Sequence, residues 1–270
     1  PKPSSAASDV YKRQDRHINM NAFSYRVQTL QPSAIREILK FTADPEVISF
    51  AAGNPAPEAF PTEEIARITN EILTTTPIDA LQYSITEGYT PLRNWIKDDL
   101  KKKGMFNEND EDVVITSGAQ QAIEVVTKEI CNEGDTIICE APTFIGSLNA
   151  FRSYNAKLVG VEMEDDGINI DKLEKALIEN PRTAFIYLIP NFQNPTGKTM
   201  SLEKRKAVLA LAQKYNVYIL EDNPYGDLRY IGENVPTIKS LDKNGNVLYA
   251  GTFSKTLAPG LRVGYLCAPK

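Results

Sequence analysis

The chain has almost no histidine: one residue in 270, His17, set in a polar N-terminal stretch. That scarcity excludes histidine-rich metal centres and removes the base on which Ser-His-Asp and Cys-His nucleophile systems depend. Cysteine is nearly as sparse. Cys131, Cys139 and Cys267 are odd in number, far apart and embedded in apolar segments, so they read as buried reduced thiols rather than a disulfide framework. No apolar run reaches the roughly 20 residues that a membrane-spanning helix needs. The N-terminus also lacks the apolar region of a signal peptide, so the expected location is the cytoplasm, with no membrane partner. Nor is charge of one sign concentrated: 30 Lys and Arg stand against 35 Asp and Glu, a net charge of −5, and nothing suggests a nucleic-acid surface. The run Lys101-Lys102-Lys103 reads as the solvated end of a polar helix, favoured there by the helix dipole.

What is present is enough apolar material, 42% of the residues, for one large α/β domain with a substantial core. Residues 1 to 14 are polar and aperiodic, and Met20 is a candidate start. Ser33 to Lys40 carries an N-cap and apolar positions at helical spacing, which predicts a short helix. Gly53-Asn54-Pro55-Ala56-Pro57 predicts an irregular extended loop, and Pro61 to Leu73 a helix with acids in its first turn. From Asp112 onward, short β-branched runs alternate with helical patterns. Strands are predicted at Val113 to Thr116, Thr136 to Cys139, Lys157 to Val161, Ala184 to Ile189, Val217 to Leu220, Val247 to Ala250 and Arg262 to Cys267. Helices fit between them at Ala119 to Cys131, Ile145 to Ser153, Asp171 to Glu179 and Leu202 to Tyr215, as right-handed crossovers require. The expected fold is a three-layer αβα arrangement around a seven-stranded, mostly parallel sheet, with ligands bound outside the carboxyl ends of its strands.

Polar motifs sit at those ends. Ser117-Gly118-Ala119-Gln120 joins a strand to a helix, where backbone amides and the dipole favour an anion; alone, it reads first as a plain strand-to-helix turn with a Ser cap. Phe144 is placed to stack on a flat ring or simply to fill the core. Asn194-Pro195-Thr196-Gly197 is a rigid turn whose Asn amide can donate to a ring oxygen. Asp222 ends an apolar strand, and a carboxylate there needs a positive partner such as a protonated pyridine nitrogen; a solvated turn aspartate is the other reading. Tyr225 can donate to the same ring oxygen as Asn194. Lys255 lies between Thr252, Ser254 and Arg262, the arginine seven positions on. An amine can hold an aldehyde as an imine while a guanidinium and hydroxyls grip a phosphate. Taken jointly, these motifs describe a site for pyridoxal 5'-phosphate (PLP).

With these residues the chain closely resembles the class I/II aminotransferases of PLP fold type I, nearest the 2-aminoadipate and kynurenine aminotransferase-like branch. The likeness runs over about residues 25 to 270, and its most specific pieces are Asn194-Pro195-Thr196-Gly197 and Ser254-Lys255 with Arg262. The resemblance implies that Lys255 bonds the cofactor and acts as the base, that Asp222 pairs the ring nitrogen, and that Asn194 and Tyr225 bind the ring oxygen. It further implies that Phe144 stacks on the ring, while Ser117, Gly118, Ala119, Gln120, Thr252, Ser254 and Arg262 hold the phosphate. Tyr83, in Gln82-Tyr83-Ser84, matches the tyrosine that such enzymes send into the neighbouring subunit of a homodimer. Gly53 and Asn194 match substrate-carboxylate positions. Arg36 matches an arginine that meets a distal carboxylate or turns away for apolar side chains, and equally reads as a helix-surface residue paired with a glutamate.

The implied organisation is a disordered or non-native tail over residues 1–19, an N-terminal arm over 20–52 and a PLP-binding large domain over 53–270. Family members continue into a small domain that binds the substrate carboxylate, so the 270-residue chain is expected to be C-terminally truncated and to transaminate poorly. The implied activity moves an amino group between an amino acid, of 2-aminoadipate, aromatic or branched-chain type, and a 2-oxo acid. Three other readings stand beside it: a PLP-dependent lyase or decarboxylase on the same fold, the PLP-sensing domain of a winged-helix transcription regulator, and a non-catalytic scaffold.

Overall fold

In the computed structural model the described residues are 24, 26, 46–48 and 54–270. The helix expected from Ser33 to Lys40, with Arg36, and the loop residue Gly53 lie outside them. Eight strands form one sheet: β1 (Glu111–Thr116), β2 (Thr136–Ala141), β3 (Lys157–Glu164), β4 (Gly167–Ile168), β5 (Thr183–Leu188), β6 (Tyr218–Asp222), β7 (Val247–Thr252) and β8 (Gly264–Pro269). Their spatial order is β1-β8-β7-β6-β5-β2-β3-β4. The pairs β2–β3, β2–β5, β5–β6 and β6–β7 are parallel, while β8 runs antiparallel to both β1 and β7. The sheet is therefore mostly parallel, as expected, with one strand more than the predicted seven. The extra strand, β4, is two residues long and returns antiparallel along the end of β3, too short to leave a periodic signal.

The helices are α1 (Thr62–Thr75), α2 (Pro77–Leu81), α3 (Thr90–Lys102), α4 (Ala119–Ile130), α5 (Ile145–Ser153), α6 (Ile170–Glu179), α7 (Leu202–Tyr215) and α8 (Ile238–Leu241). Local chemistry sets their ends. The Asn169 side chain accepts the Lys172 amide at the start of α6, Ser201 does the same for Lys204 at α7, and Asn216 closes α7 in the left-handed region, where asparagine is tolerated. Among the described residues no helix is long and apolar enough to cross a membrane.

Alternation along the strands builds the layers. Ile138, Ile186, Leu188 and Ile219 pack with Leu173 and Leu177 of α6 and Val208 and Ala212 of α7. Their neighbours Ile137, Phe185, Tyr187 and Leu220 pack on the other face with Ala122, Ile123 and Val126 of α4 and Phe151 of α5. Helix α3 covers the β1–β8–β7 edge through Ile96 and Leu100 against Val113, Tyr249 and Cys267. One boundary differs from expectation. The last strand starts at Gly264 rather than Arg262, because Arg262 has φ +55° and closes the short 3-10 turn Pro259–Leu261.

Candidate functional site

The carboxyl ends of β2, β5, β6 and β7, with the turn from β1 into α4, surround a cavity of about 450 Å3. Ten residues singled out from the sequence line it: Ala119, Gln120, Phe144, Asn194, Asp222, Tyr225, Thr252, Ser254, Lys255 and Arg262. A larger cleft of about 790 Å3 opens at the amino ends of β1 and β6, and none of these groups lines it.

Asp222 forms the floor. It is 3% exposed, because it is the last residue of a strand flanked by β5 and β7. Its Oδ2 accepts the Tyr187 hydroxyl at 2.7 Å, whereas Oδ1 has no hydrogen-bond partner among the described residues. Burial raises its pKa from the ordinary 3.8 to about 6, against the lowering effect of the tyrosine bond. A buried carboxylate oxygen left bare costs free energy, and a cationic donor placed in the cavity removes that cost.

Lys255 lines the same cavity. Its Nζ lies 5.9 Å from the centre of the Tyr225 ring, within the range of a cation–π contact. The Asn194 amide donates to the Tyr225 hydroxyl at 3.4 Å, so the two groups proposed from sequence to share a ring oxygen converge on one side of the cavity. Burial pushes the Tyr225 phenol up, and the bond from Asn194 only partly offsets it. That phenol keeps its proton at neutral pH and can donate it in a hydrogen bond. Phe144 precedes α5 and packs partly against the core beneath α4.

Lys255 and Arg262 share the loop between β7 and β8. That loop is pinned by the pairing of Thr252 with Gly264 and by a bond from the Phe253 amide to the Val263 carbonyl, 3.0 Å. Thr252 Oγ1 donates to Ser254 Oγ at 2.9 Å. Arg262 spans from its own loop to the β1–α4 turn: Nη1 donates to the Pro259 carbonyl and Nη2 to the Ser117 carbonyl at 3.1 Å. A guanidinium has five N–H donors, so others are left for an anion. Gly118, at φ +74°, precedes α4. A Cβ there would come within 2.4 Å of Arg262 Nη2, so only glycine lets the guanidinium lie against the turn. Ser117 and Gly118 are thus brought to the site behind Arg262 rather than on the cavity wall.

These groups fit PLP. A buried carboxylate with an unpartnered oxygen, an amine, aromatic and amide groups, an arginine with hydroxyls and the start of a helix all line one cavity. Tyr83 is not brought in: it is 100% exposed. Arg36 and Gly53 lie outside the described residues. Three contributors escape a reading of the sequence. Tyr187 looks like one more apolar strand residue, and Glu140 and Gln193 form bonds to residues about fifty positions away. Only the position of Gln193 beside Asn194 offers a clue.

Residues 45–270 match the family model described as aminotransferase class I and II. Aromatic-amino-acid aminotransferase 1 of Thermococcus litoralis is 44% identical over 91% of this chain and 60% of its own length. The 2-aminoadipate transaminase of Thermus thermophilus is 40% identical over 92% of this chain and 61% of its own length. Kynurenine aminotransferase of Pyrococcus horikoshii, solved in complex with PMP, superimposes with a TM-score of 0.86 at 38% identity, covering 98% of this chain and 64% of that one. The chain therefore spans about 60% of the length of these curated relatives. Motif, sheet order and sequence identity agree, and the chain belongs to the aminotransferase class I and II family.

Proposed function

We propose that this chain is the cofactor-binding part of a PLP-dependent aminotransferase that moves an amino group between an amino acid, of 2-aminoadipate, aromatic or branched-chain type, and a 2-oxo acid. The observation that carries the proposal is Asp222 Oδ1, buried and unpartnered on the floor of the cavity lined by Lys255 and Arg262. Bound PLP supplies an electron sink for the carbanion that forms when a substrate loses its α-proton. Asp222 keeps the ring nitrogen protonated. Asn194 and Tyr225 would donate to the ring oxygen, Phe144 would stack on the ring, and Arg262 with Ala119, Gln120, Thr252 and Ser254 would take the phosphate, with Ser117 and Gly118 seating the guanidinium from behind. Lys255 Nζ anchors the aldehyde and, as a free amine, moves the α-proton. Gly53, Asn194 and Arg36 address the substrate's carboxylates.

Excess glutamate added to the PLP-loaded protein is expected to replace absorbance near ~420 nm by absorbance near ~330 nm, slowly, in keeping with the poor transamination expected of this chain. An unchanged spectrum, or release of carbon dioxide or ammonia, would rule out amino transfer; gas release would favour the decarboxylase or lyase reading.

A homodimer belongs to the same proposal. Helix α1 buries no residue, and Ile68, Ile72, Leu73, Ile78, Leu81, Tyr83 and Ile85 are all exposed. So many exposed apolar residues within one stretch of chain favour an interface, with Tyr83 reaching the partner's phosphate site. Light scattering that shows a monomer at micromolar concentration would remove it.

A further inference from the structure

Gln193 precedes Asn194, and its side chain is 1% exposed. Every position of its amide is used. Nε2 donates to Glu140 Oε2 at 3.2 Å and to the Pro142 carbonyl at 2.8 Å. Oε1 accepts from the Thr196 amide at 3.0 Å and the Thr196 hydroxyl at 2.7 Å. A flipped amide would set acceptor against acceptor at one end and donor against donor at the other, so the partners fix its orientation. One side chain thus ties the loop after β2, which carries Phe144, to the turn after β5, which carries Asn194. Glu140 completes the tie: its Oε2 also accepts the Ile189 amide at 3.1 Å, at the end of the chain segment that leads to Asn194.

We infer that Gln193 and Glu140 are positioning residues that fix the spacing between the Asn194 amide and the Phe144 ring, the groups proposed above to meet the cofactor at its oxygen and on its face. The inference rests on the PLP reading of the cavity. Burial pushes the Glu140 carboxyl up to about 8, so near neutral pH it is mostly an uncharged acid and adds little negative charge beside Asp222. Its shape, and not its charge, holds the two loops. A bond network that served folding alone would shift the unfolding temperature and leave the bound cofactor's properties untouched. A network that sets the approach of Asn194 changes how strongly the ring oxygen is held as an anion.

The test measures PLP affinity and the pH midpoint of the bound cofactor's absorbance change on the holoprotein. Gln193→Leu is expected to weaken PLP binding about tenfold or more and to raise the midpoint, because the ring oxygen loses a well-placed donor. Glu140→Leu is expected to do the same, and Glu140→Gln, neutral and of the same shape, to restore both quantities to within about twofold of the parent. Where Gln193→Leu does not fold by circular dichroism, Gln193→Glu keeps the shape and the acceptor for Thr196, replaces the two bonds donated to Glu140 and Pro142 by at most the one that a protonated carboxyl makes, and carries the same expectation. Folded Gln193 variants with parental affinity and midpoint overturn the inference even when they melt earlier. Glu140→Gln as weak as Glu140→Leu overturns the part assigned to Glu140. A parent protein that binds no PLP through Lys255 refutes the proposed function instead, so the two failures are distinct.

Discussion

Glu221 and Asp222 are adjacent, both buried at the tip of β6, and they point to opposite faces of the sheet. Glu221 is fully answered. Its Oε1 accepts the Ile238 amide at 3.1 Å and its Oε2 the Lys239 amide at 2.7 Å, with the cations of Arg205 and Lys239 drawing on it against the upward push of burial. Arg205 in turn donates to the carbonyls of Met200, Pro190, Val235 and Pro236 and to Asn191 Oδ1. Asp222 has one phenol for one oxygen and nothing for the other. Two carboxylates of equal burial thus differ in what completes them. Protein groups finish the first, and the proposed cofactor's ring nitrogen would finish the second. Burial alone does not mark function; burial with an unused oxygen facing a cavity does.

The largest way to break the contrast lies on the ligand side. Lys255→Ala is expected to abolish the ~420 nm band and to lower amino transfer by about 10³-fold or more, with the unfolding midpoint of the cofactor-free protein unchanged. A surviving band would refute the assignment of Lys255. Asp222→Ala follows, at about 10²-fold in turnover, again with little loss of cofactor-free stability, since the buried carboxylate it removes has the Tyr187 hydroxyl for one oxygen and nothing for the other. Glu221→Ala should invert that pattern. It leaves two buried amides and a buried guanidinium without their carboxylate and is expected to cost about 3 kcal/mol in denaturant unfolding. Equal stability losses in the two alanine variants would erase the distinction.

A finer test uses pH. Because the folded protein holds the Asp222 proton more tightly than the unfolded chain, the contribution of Asp222 to stability is whole below about 3.8 and declines as pH rises to about 6. Asp222→Asn lacks that decline. Cofactor-free melting curves of the two proteins are therefore expected to diverge across this window in favour of the variant; a constant difference would mean that Asp222 is not bare. The smallest effect belongs to a half-exposed, well-paired carboxylate. Glu174 bonds Lys214 and Tyr215 at the surface, and Glu174→Gln is expected to move the unfolding midpoint by less than about 1 °C.

Much of this was legible in the chain itself. β-Branched runs ending in Asn194, Asp222 and Thr252 mark strands whose polar tips share one edge, so the motifs and the cavity coincide. Sheet order was not legible, because the pairing of β1 with β8 joins residues about 150 apart. Nor was the identity of buried polar groups. Arg205, Glu221 and Glu140 carry the residue types that normally face water, and their burial follows only from partners that the fold delivers. Tyr187 hides for the opposite reason: its ring belongs in an apolar strand, packed edge-on against Phe151, and only its hydroxyl does something more.

The β7–β8 loop has a consequence for how the site tolerates change. The amine and the guanidinium sit on a single hairpin held by Thr252 opposite Gly264 and by the close seat of Gly251, where any Cβ would meet the Tyr265 ring at 2.2 Å. The span between them is set inside one short stretch of chain, like the jaws of a calliper, and does not depend on how the remaining strands are spaced. Drift elsewhere in the sheet can retune the floor and walls of the cavity without changing the gauge. A one-residue slip between β7 and β8 would dislocate both jaws together.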